Sequence, residues 1–272
     1  MNNFKKAVIY ATLLIYSSLI LFPIYMMYSA SFRNTREIFN SPLGLPETFN
    51  ISNYVEVISG ANFPLYLGNS LVVTGVSVLL SLTLGTLAAY ALARYSFKVS
   101  SYLYVFFLLG LVVPLRLASL PLFLLMKNIG LLDTRIALII IYTSWRLGFT
   151  VLIMHGFFSS LPTDLEDSGR IDGCNEFSLF YRVMLPLSRP GLVIAAIYNA
   201  VPVWNDFFFP LVFTRSDNLQ TLPLAVSRFF GEHSVQWGPL FAFLGLAVLP
   251  IIALYLVMSR QFIEGMLAGA LD

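Results

Sequence analysis

The sequence predicts an all-α membrane protein with six transmembrane helices, and three observations carry that prediction. The 272 residues are 58% hydrophobic and 11% charged, with a mean hydropathy of +0.80, too little polar surface to cover a soluble domain of this size. Charge-free runs extend from Ala7 to Phe32, from Val57 to Ala93 and from Ser234 to Ser259, each longer than the roughly 20 residues a helix needs to cross a bilayer. These runs are continuous, whereas a transmembrane barrel alternates over segments of about 10 residues.

Taken in order, the spans fall at about Ala7–Ser31, Leu67–Ala93, Tyr102–Met126, Ala137–Phe158, Gly191–Phe213 and Leu240–Ser259. The first follows Lys5 and Lys6, yet it exceeds the 7 to 15 apolar residues typical of a cleaved signal, so it reads as an uncleaved span. An even number of spans places both termini on one side. If that side is the cytoplasm, the inner segments hold Lys5, Lys6, Arg94, Lys98, Arg170, Arg182, Arg189 and Arg260, against Arg33, Arg36, Lys127, Arg135, Arg215 and Arg228 outside. The segments Arg33–Tyr66 and Thr214–Pro239 become the external connections. No internal repeat or low-complexity linker divides residues 1–272, which read as a single transmembrane domain.

Between the fourth and fifth spans lies the polar interruption LPTDLEDSGRIDGCNEFSLFYRVMLPLSRPGL, Leu161 to Leu192. Pro162 suits a first helical position, and Asp164, Glu166 and Asp167 favour the positive end of the helix dipole. Gly173 suits a helix stop, and Asn175 can cap a second helix. Phe177, Phe180, Tyr181 and Met184 recur in that helix at the spacing of one apolar face, before Pro186 and Pro190. Two short helices with a sharp bend are expected. From Ser160 to Arg189 the acids Asp164, Glu166, Asp167, Asp172 and Glu176 outnumber Arg170, Arg182 and Arg189, giving 3 minus 5, or −2. An acidic inner loop is repelled by the negative inner leaflet, so a protein partner explains it better.

This arrangement resembles the EAA loop of importer-type ABC permeases, with Glu166, Asp167 and Ser168 at the EAA positions, Gly173 at the family glycine, and Leu185 and Pro186 at the closing Leu-Pro. Here the small second residue of the triplet is replaced by a carboxylate. Further segments are similar to carbohydrate importer permeases of the maltose-transporter type, the smaller permease subunit: FPIYMMYSASFR, NSLVVTGVSVLLSLTLGTLAAYALAR, GLLDTR, WNDFFFPLVFT, TLPLAV and RQFIEGMLAGALD. The resemblance implies a type I importer permease fold with a core at about residues 67–260 and a cytoplasmic coupling loop at residues 160–189. It also implies a heterodimer with a second permease, two ATPase subunits, an extracytoplasmic solute-binding protein that delivers a sugar or oligosaccharide, and a multi-pass position in a bacterial or archaeal plasma (inner) membrane. Glu166 and Asp167 would make polar contacts with the ATPase, Gly173 would permit the bend, and Phe177, Phe180 and Tyr181 would supply apolar anchors. The loop Thr214–Pro239 would meet the binding protein.

The chain carries no sequence for hydrolysis of its own. Phe4, Lys5, Phe97 and Met126 precede its four lysines, so no glycine-rich phosphate loop ends in Gly-Lys, and ATP with Mg would be used by the partner ATPase, with no cofactor bound directly. His155 and His233 stand far apart without companion ligands, Cys174 is the only cysteine, and no Gly-x-Ser-x-Gly elbow occurs, so neither a metal site nor a catalytic residue is expected. A net charge of +2 does not suggest nucleic acid. A permease for polyamines, amino acids or another small solute stays open, as do a secondary carrier and an intramembrane enzyme.

Three ionisable residues fall inside the predicted spans, where charge is costly and faces a cavity or a partner. At about 1.5 Å per residue, Arg116 lies about 21 Å from the cytoplasmic end of its span, Arg146 about 18 Å and Asp206 about 24 Å. The expectation is one layer, in which Asp206 pairs with an arginine and which borders a translocation route with Trp145, Trp204 and Asn205. The plainer reading is a structural ion pair.

Overall fold

A computed structural model describes residues 3–230 and 235–268. Glu232, His233 and the end of the RQFIEGMLAGALD segment, residues 269–272, lie outside them. The described chain is nearly all helical, and its one isolated β-bridge joins Phe230 to Val235. Among the described residues, four helices are long and apolar enough to cross a membrane, over Phe4–Ser31, Phe63–Arg94, Arg135–Ser160 and Trp237–Ser259. We label their full lengths α1 (Asn3–Ser31), α2 (Phe63–Arg94), α5 (Arg135–Ser160) and α10 (Trp237–Ala268).

Two bent pairs bring the number of spans to six if each is one crossing. Ser100–Val112 (α3) meets Leu115–Asn128, which includes α4 (Ser119–Asn128), at 87°, and Glu176–Leu187 (α7) meets Arg189–Trp204 (α8) at 74°. The expected unbroken span Tyr102–Met126 is therefore corrected. Pro114 excludes the residue before it from the helical region, and Val113 turns to φ −73° and ψ 118°. The expected span Gly191–Phe213 is corrected as well: α8 ends at Trp204, and a separate α9 covers Phe208–Phe213. Asn205 and Asp206 thus stand in a break rather than on a helix, and helical rise no longer measures the depth of Arg116 or Asp206.

The chain forms two compact units, Met1–Leu67 with Ala225–Leu249, and Gly68–Leu224 with Pro250–Asp272. The first is organised around Arg33, whose side chain is 1% exposed. Its guanidinium pairs with Glu37 at 3.3 Å and donates to the carbonyls of Gly44, Glu37 and Ser41 at 3.1, 2.7 and 2.6 Å. Asn53 donates to the carbonyls of Ser31 and Arg33. The segment expected to be an irregular connection is tied down by one cation and one amide.

In the second unit α3 and α8 both pack along α5. Lipid tails give no hydrophobic drive between helices, so close backbone approach and polar contacts carry the packing. A Cβ at Gly148 would come within 2.5 Å of the Phe107 carbonyl oxygen, so only glycine admits α3 there. Asn199 of α8 donates to Thr150 of α5 at 2.8 Å and to Ser81 of α2 at 3.3 Å, a buried polar knot among three helices. Two apolar clusters complete the core. One holds Val73, Met126, Leu138, Ile141, Tyr142, Val203, Phe209 and Phe213; the other holds Ala89, Tyr90, Met154, Phe158, Phe180 and Met184.

Candidate functional site: the acidic elbow and the Asp206 layer

The polar interruption folds as two helical limbs, as expected. The first, α6, runs over Asp164–Ile171. Gly173 follows at φ +85°, a left-handed conformation that L side chains adopt only at a cost. The Asn175 side chain then accepts the Ser178 N–H at 2.8 Å and starts α7. A Cβ at Gly169 would meet Leu179 at 2.6 Å, so the limbs close against each other at a residue that sequence reasoning passed over.

Within α7 the stretch Phe180–Met184 widens to a π-helix, the Leu185 N–H reaching back to the Phe180 carbonyl. The four residues expected on one apolar face separate into two pairs. Phe180 and Met184 are buried against Tyr90 and Phe158. Phe177 and Tyr181 are 74% and 62% exposed, with nearly parallel rings 6.3 Å apart. Leu185 packs on the buried cluster, while Pro186 and Ser168 are exposed.

Glu166, expected to make polar contacts with the ATPase, is buried within this chain. Its carboxylate accepts from Arg94 at 2.7 Å, and the two side chains are 8% and 7% exposed. Arg94 also donates to the Pro162 carbonyl. Arg170 lies across the bend, 3.2 Å from Asp167, 3.2 Å from Glu176 and 3.8 Å from Glu166. Tyr95 donates to Glu176 at 2.5 Å. The end of α2 therefore grips both limbs, Arg94 on α6 and Tyr95 on α7. The hydrogen bond from Tyr95, followed by Arg170, holds the Glu176 carboxyl below its usual range. Burial and then that same bond push the Tyr95 phenol up. Asp167 remains exposed on α6. Sequence reasoning placed Arg94 only in a charge count; its position in the last turn of an apolar helix was the available signal.

The layer is brought together in part. Asp206 is 7% exposed; Oδ2 accepts from the Tyr142 hydroxyl at 2.7 Å and from the Phe209 N–H at 2.9 Å. Oδ1 lies 3.9 Å from the Arg116 guanidinium, an ion pair beyond hydrogen-bond distance. Arg116 sits over the Phe208 ring at 5.5 Å, and Arg146 over Trp145 at 3.6 Å. Trp145 packs against Phe209 and Tyr142. Trp204 instead lines a cavity of about 300 Å³ with Leu71, Thr74, Val78 and Pro250, and Asn205 turns its amide back to the Val201 carbonyl. His155 stacks on Tyr104 at 4.2 Å.

At the other end of α5, Asp133 adopts φ +60°. Its carboxylate accepts the N–H groups of Arg215 and Ser216 at 2.7 and 2.9 Å, and also the Ser216 hydroxyl. These bonds hold the Asp133 carboxyl below its usual range. Among the described residues no group of three or more His, Cys, Asp or Glu side chains could hold a metal.

Residues 81–267 match the family described as binding-protein-dependent transport system inner membrane component. The chain is 34% identical over 257 residues to the diacetylchitobiose uptake system permease protein NgcG of Streptomyces coelicolor, covering 94% of this chain and 85% of that one. It is 32% identical over 252 residues to the arabinooligosaccharides transport system permease protein AraQ of Halalkalibacterium halodurans, covering 91% and 90%. A bacterial ABC transporter involved in the import of the acidic polysaccharide alginate contains a chain of the same fold, with a TM-score of 0.84 at 22% identity, covering 96% of this chain and 99% of that one. By its sequence, the chain belongs to the family of binding-protein-dependent transport system inner membrane components.

Proposed function

We propose that this chain is one of two permease subunits of an ATP-driven importer, and that it forms half of the path for a sugar or oligosaccharide delivered by an external binding protein. The observation that carries the proposal is the elbow. Its limbs are locked to α2 through Arg94, Glu166, Tyr95 and Glu176, and one aromatic pair, Phe177 with Tyr181, faces outward. The pair borders an apolar cavity of about 560 Å³ with Leu82, Leu87, Leu185 and Met258, and an exposed aromatic pair at such a cavity is an anchor for another protein. The partner is a separate ATPase subunit, which binds ATP and Mg; Phe177, Tyr181, Asp167, Ser168 and the exposed Pro186 meet it, while Phe180 and Leu185 seat the elbow on the spans. Glu166 acts inside the subunit and transmits elbow displacement to α2, and Gly173 keeps the bend. Both termini and the elbow lie on the cytoplasmic side of a bacterial or archaeal plasma membrane. Residues 1–272 act as one permease, with its core at about 67–260 and the coupling loop at 160–189. The layer of Arg116, Trp145, Arg146 and Asp206 borders the path. The sugar assignment rests on relatives named for diacetylchitobiose and arabinooligosaccharide uptake.

The test is to purify the tagged chain from its native membrane in mild detergent and assay co-purifying proteins and ATP hydrolysis, comparing the wild type with Phe177→Ala/Tyr181→Ala. Recovery of an ATPase and a second permease, with the ATPase lost from the double variant, is the expected result. A chain recovered alone, under conditions that preserve other membrane complexes, overturns the reading in favour of a carrier or an intramembrane enzyme.

A further inference from the structure

The charges of the Asp206 layer do not balance. Its two guanidinium groups, Arg116 and Arg146, face one carboxylate, and that carboxylate is already engaged: one oxygen takes the Tyr142 hydroxyl and the Phe209 N–H. The other oxygen stands 3.9 Å from Arg116, too far for a hydrogen bond. The Arg146 Nε is shielded from solvent and has no hydrogen-bond partner, although its guanidinium is fixed over Trp145 at 3.6 Å. The Arg116 side chain is 73% exposed on this chain and rests over Phe208. Trp145 touches Phe209, and Phe209 touches Phe208, so the two cations stand on one aromatic cluster.

A guanidinium at membrane depth is costly unless it meets an anion or water. Its planar fork matches a carboxylate through two parallel hydrogen bonds, and its low hydration makes it the cation suited to such a desolvated site. Aromatic faces beside it suit the C–H surface of a sugar ring. We propose that Arg116 and Arg146 form a subsite for an anionic group of the transported molecule, and that the solute is a carboxylate-bearing sugar such as a uronate-containing oligosaccharide. This rests on the permease reading and adds the charge of the cargo. In it Asp206 holds Arg116 near Phe208 and limits the layer to one net positive charge, so a neutral sugar gains no ion pair while a monoanion gains one.

The experiment is equilibrium dialysis with the assembled importer in detergent, without its solute-binding protein, so that the receptor's own selectivity plays no part. The probes are a radiolabelled disaccharide with a terminal glucuronate and the same disaccharide with glucose in that place. The glucuronate form is expected to bind about tenfold or more tightly than the glucose form. Arg146→Gln and Arg116→Gln are each expected to remove most of that preference, bringing the two disaccharides to within about twofold of each other, and Arg146→Lys to retain part of it. Equal binding of both disaccharides overturns the proposal. So does loss of the second permease from the Arg146→Gln complex, which assigns the arginine to a carboxylate of that subunit. Co-purification of phosphatidylglycerol that depends on the arginines, with no glucuronate preference, assigns them to lipid phosphate and also overturns it. If no complex with an ATPase forms, the permease reading fails on its own, and dialysis with the isolated chain still decides whether the arginines select the carboxylate.

Discussion

The elbow and the Asp206 layer both bury a carboxylate against arginine, yet they differ in how completely the charges are answered. At the elbow Glu166 meets Arg94 at 2.7 Å, and Arg170 spans Glu166, Asp167 and Glu176, with contacts of 3.2 Å to the last two, so both arginines at the bend are held at hydrogen-bonding range. In the layer the nearest arginine stops at 3.9 Å, and Asp206 is satisfied by a phenol and a backbone N–H instead. A closed network resists displacement and moves as a unit. An open one keeps donors in reserve for something that arrives from outside. The two proposed tasks, transmission at the elbow and reception in the layer, rest on that difference between sites built from the same residue types.

The largest effect should come from opening the closed network. Glu166→Lys leaves the buried Arg94 unpaired beside a like charge, and loss of one partner of a buried pair costs about 3–5 kcal/mol. The variant is expected to lose uptake and to become sensitive to protease at residues 161–175, and the exchange Arg94→Glu with Glu166→Arg should recover part of both. Unchanged proteolysis in Glu166→Lys would show that the Arg94–Glu166 pair does not hold the elbow to α2.

Next comes Gly173→Pro. Its φ of +85° cannot be reached by a proline ring fixed near −65°, so the bend must rearrange. Uptake should fall steeply while membrane insertion persists. Gly173→Ala should cost about 1–2 kcal/mol, the ordinary penalty for a left-handed L residue. Normal uptake by the proline variant would argue against a coupling role for the bend.

Asp206→Asn tests the open network. It preserves shape and one acceptor while removing the charge, so a loss of about 1–3 kcal/mol is expected, from weaker bonds to Tyr142 and Phe209. A midpoint of thermal unfolding that does not move would show the carboxylate to be unimportant for folding of this layer. Phe177→Ala with Tyr181→Ala should change stability by no more than about 0.5 kcal/mol, because both rings are exposed, while releasing the ATPase.

The smallest effect is on pH. The Glu176 carboxyl is lowered in the folded state, so it adds stability above its ordinary unfolded pKa and loses it as pH falls through the lowered folded value. Protection factors of the amides at residues 174–179, with intrinsic exchange divided out, should therefore fall in acid, and Tyr95→Phe should narrow the difference. No pH dependence at these amides would show that the Tyr95–Glu176 hydrogen bond does not stabilise the second limb.

What the sequence determined by itself follows from local chemistry. Continuous apolar runs gave the membrane class, because a backbone in lipid must satisfy its own hydrogen bonds. Gly173 and Asn175 gave the elbow its bend and its second limb, since each encodes a backbone preference within a few residues, whereas the first limb starts at Asp164 and leaves Pro162 outside the helix. Tertiary structure decided the partners of the charges and the sidedness of the aromatics. Glu166 and Arg94 lie 72 positions apart, and no local rule joins them. Phe177 and Phe180 looked alike in sequence, but the π-helical turn and the cluster around Tyr90 and Phe158 buried one and left the other outside. The breaks at Pro114 and after Trp204 lay hidden in hydrophobic runs, because hydropathy records solubility in lipid and is blind to a change of helix direction. Those breaks brought Arg116 and Asp206 within reach of each other, which three-dimensional packing alone could do.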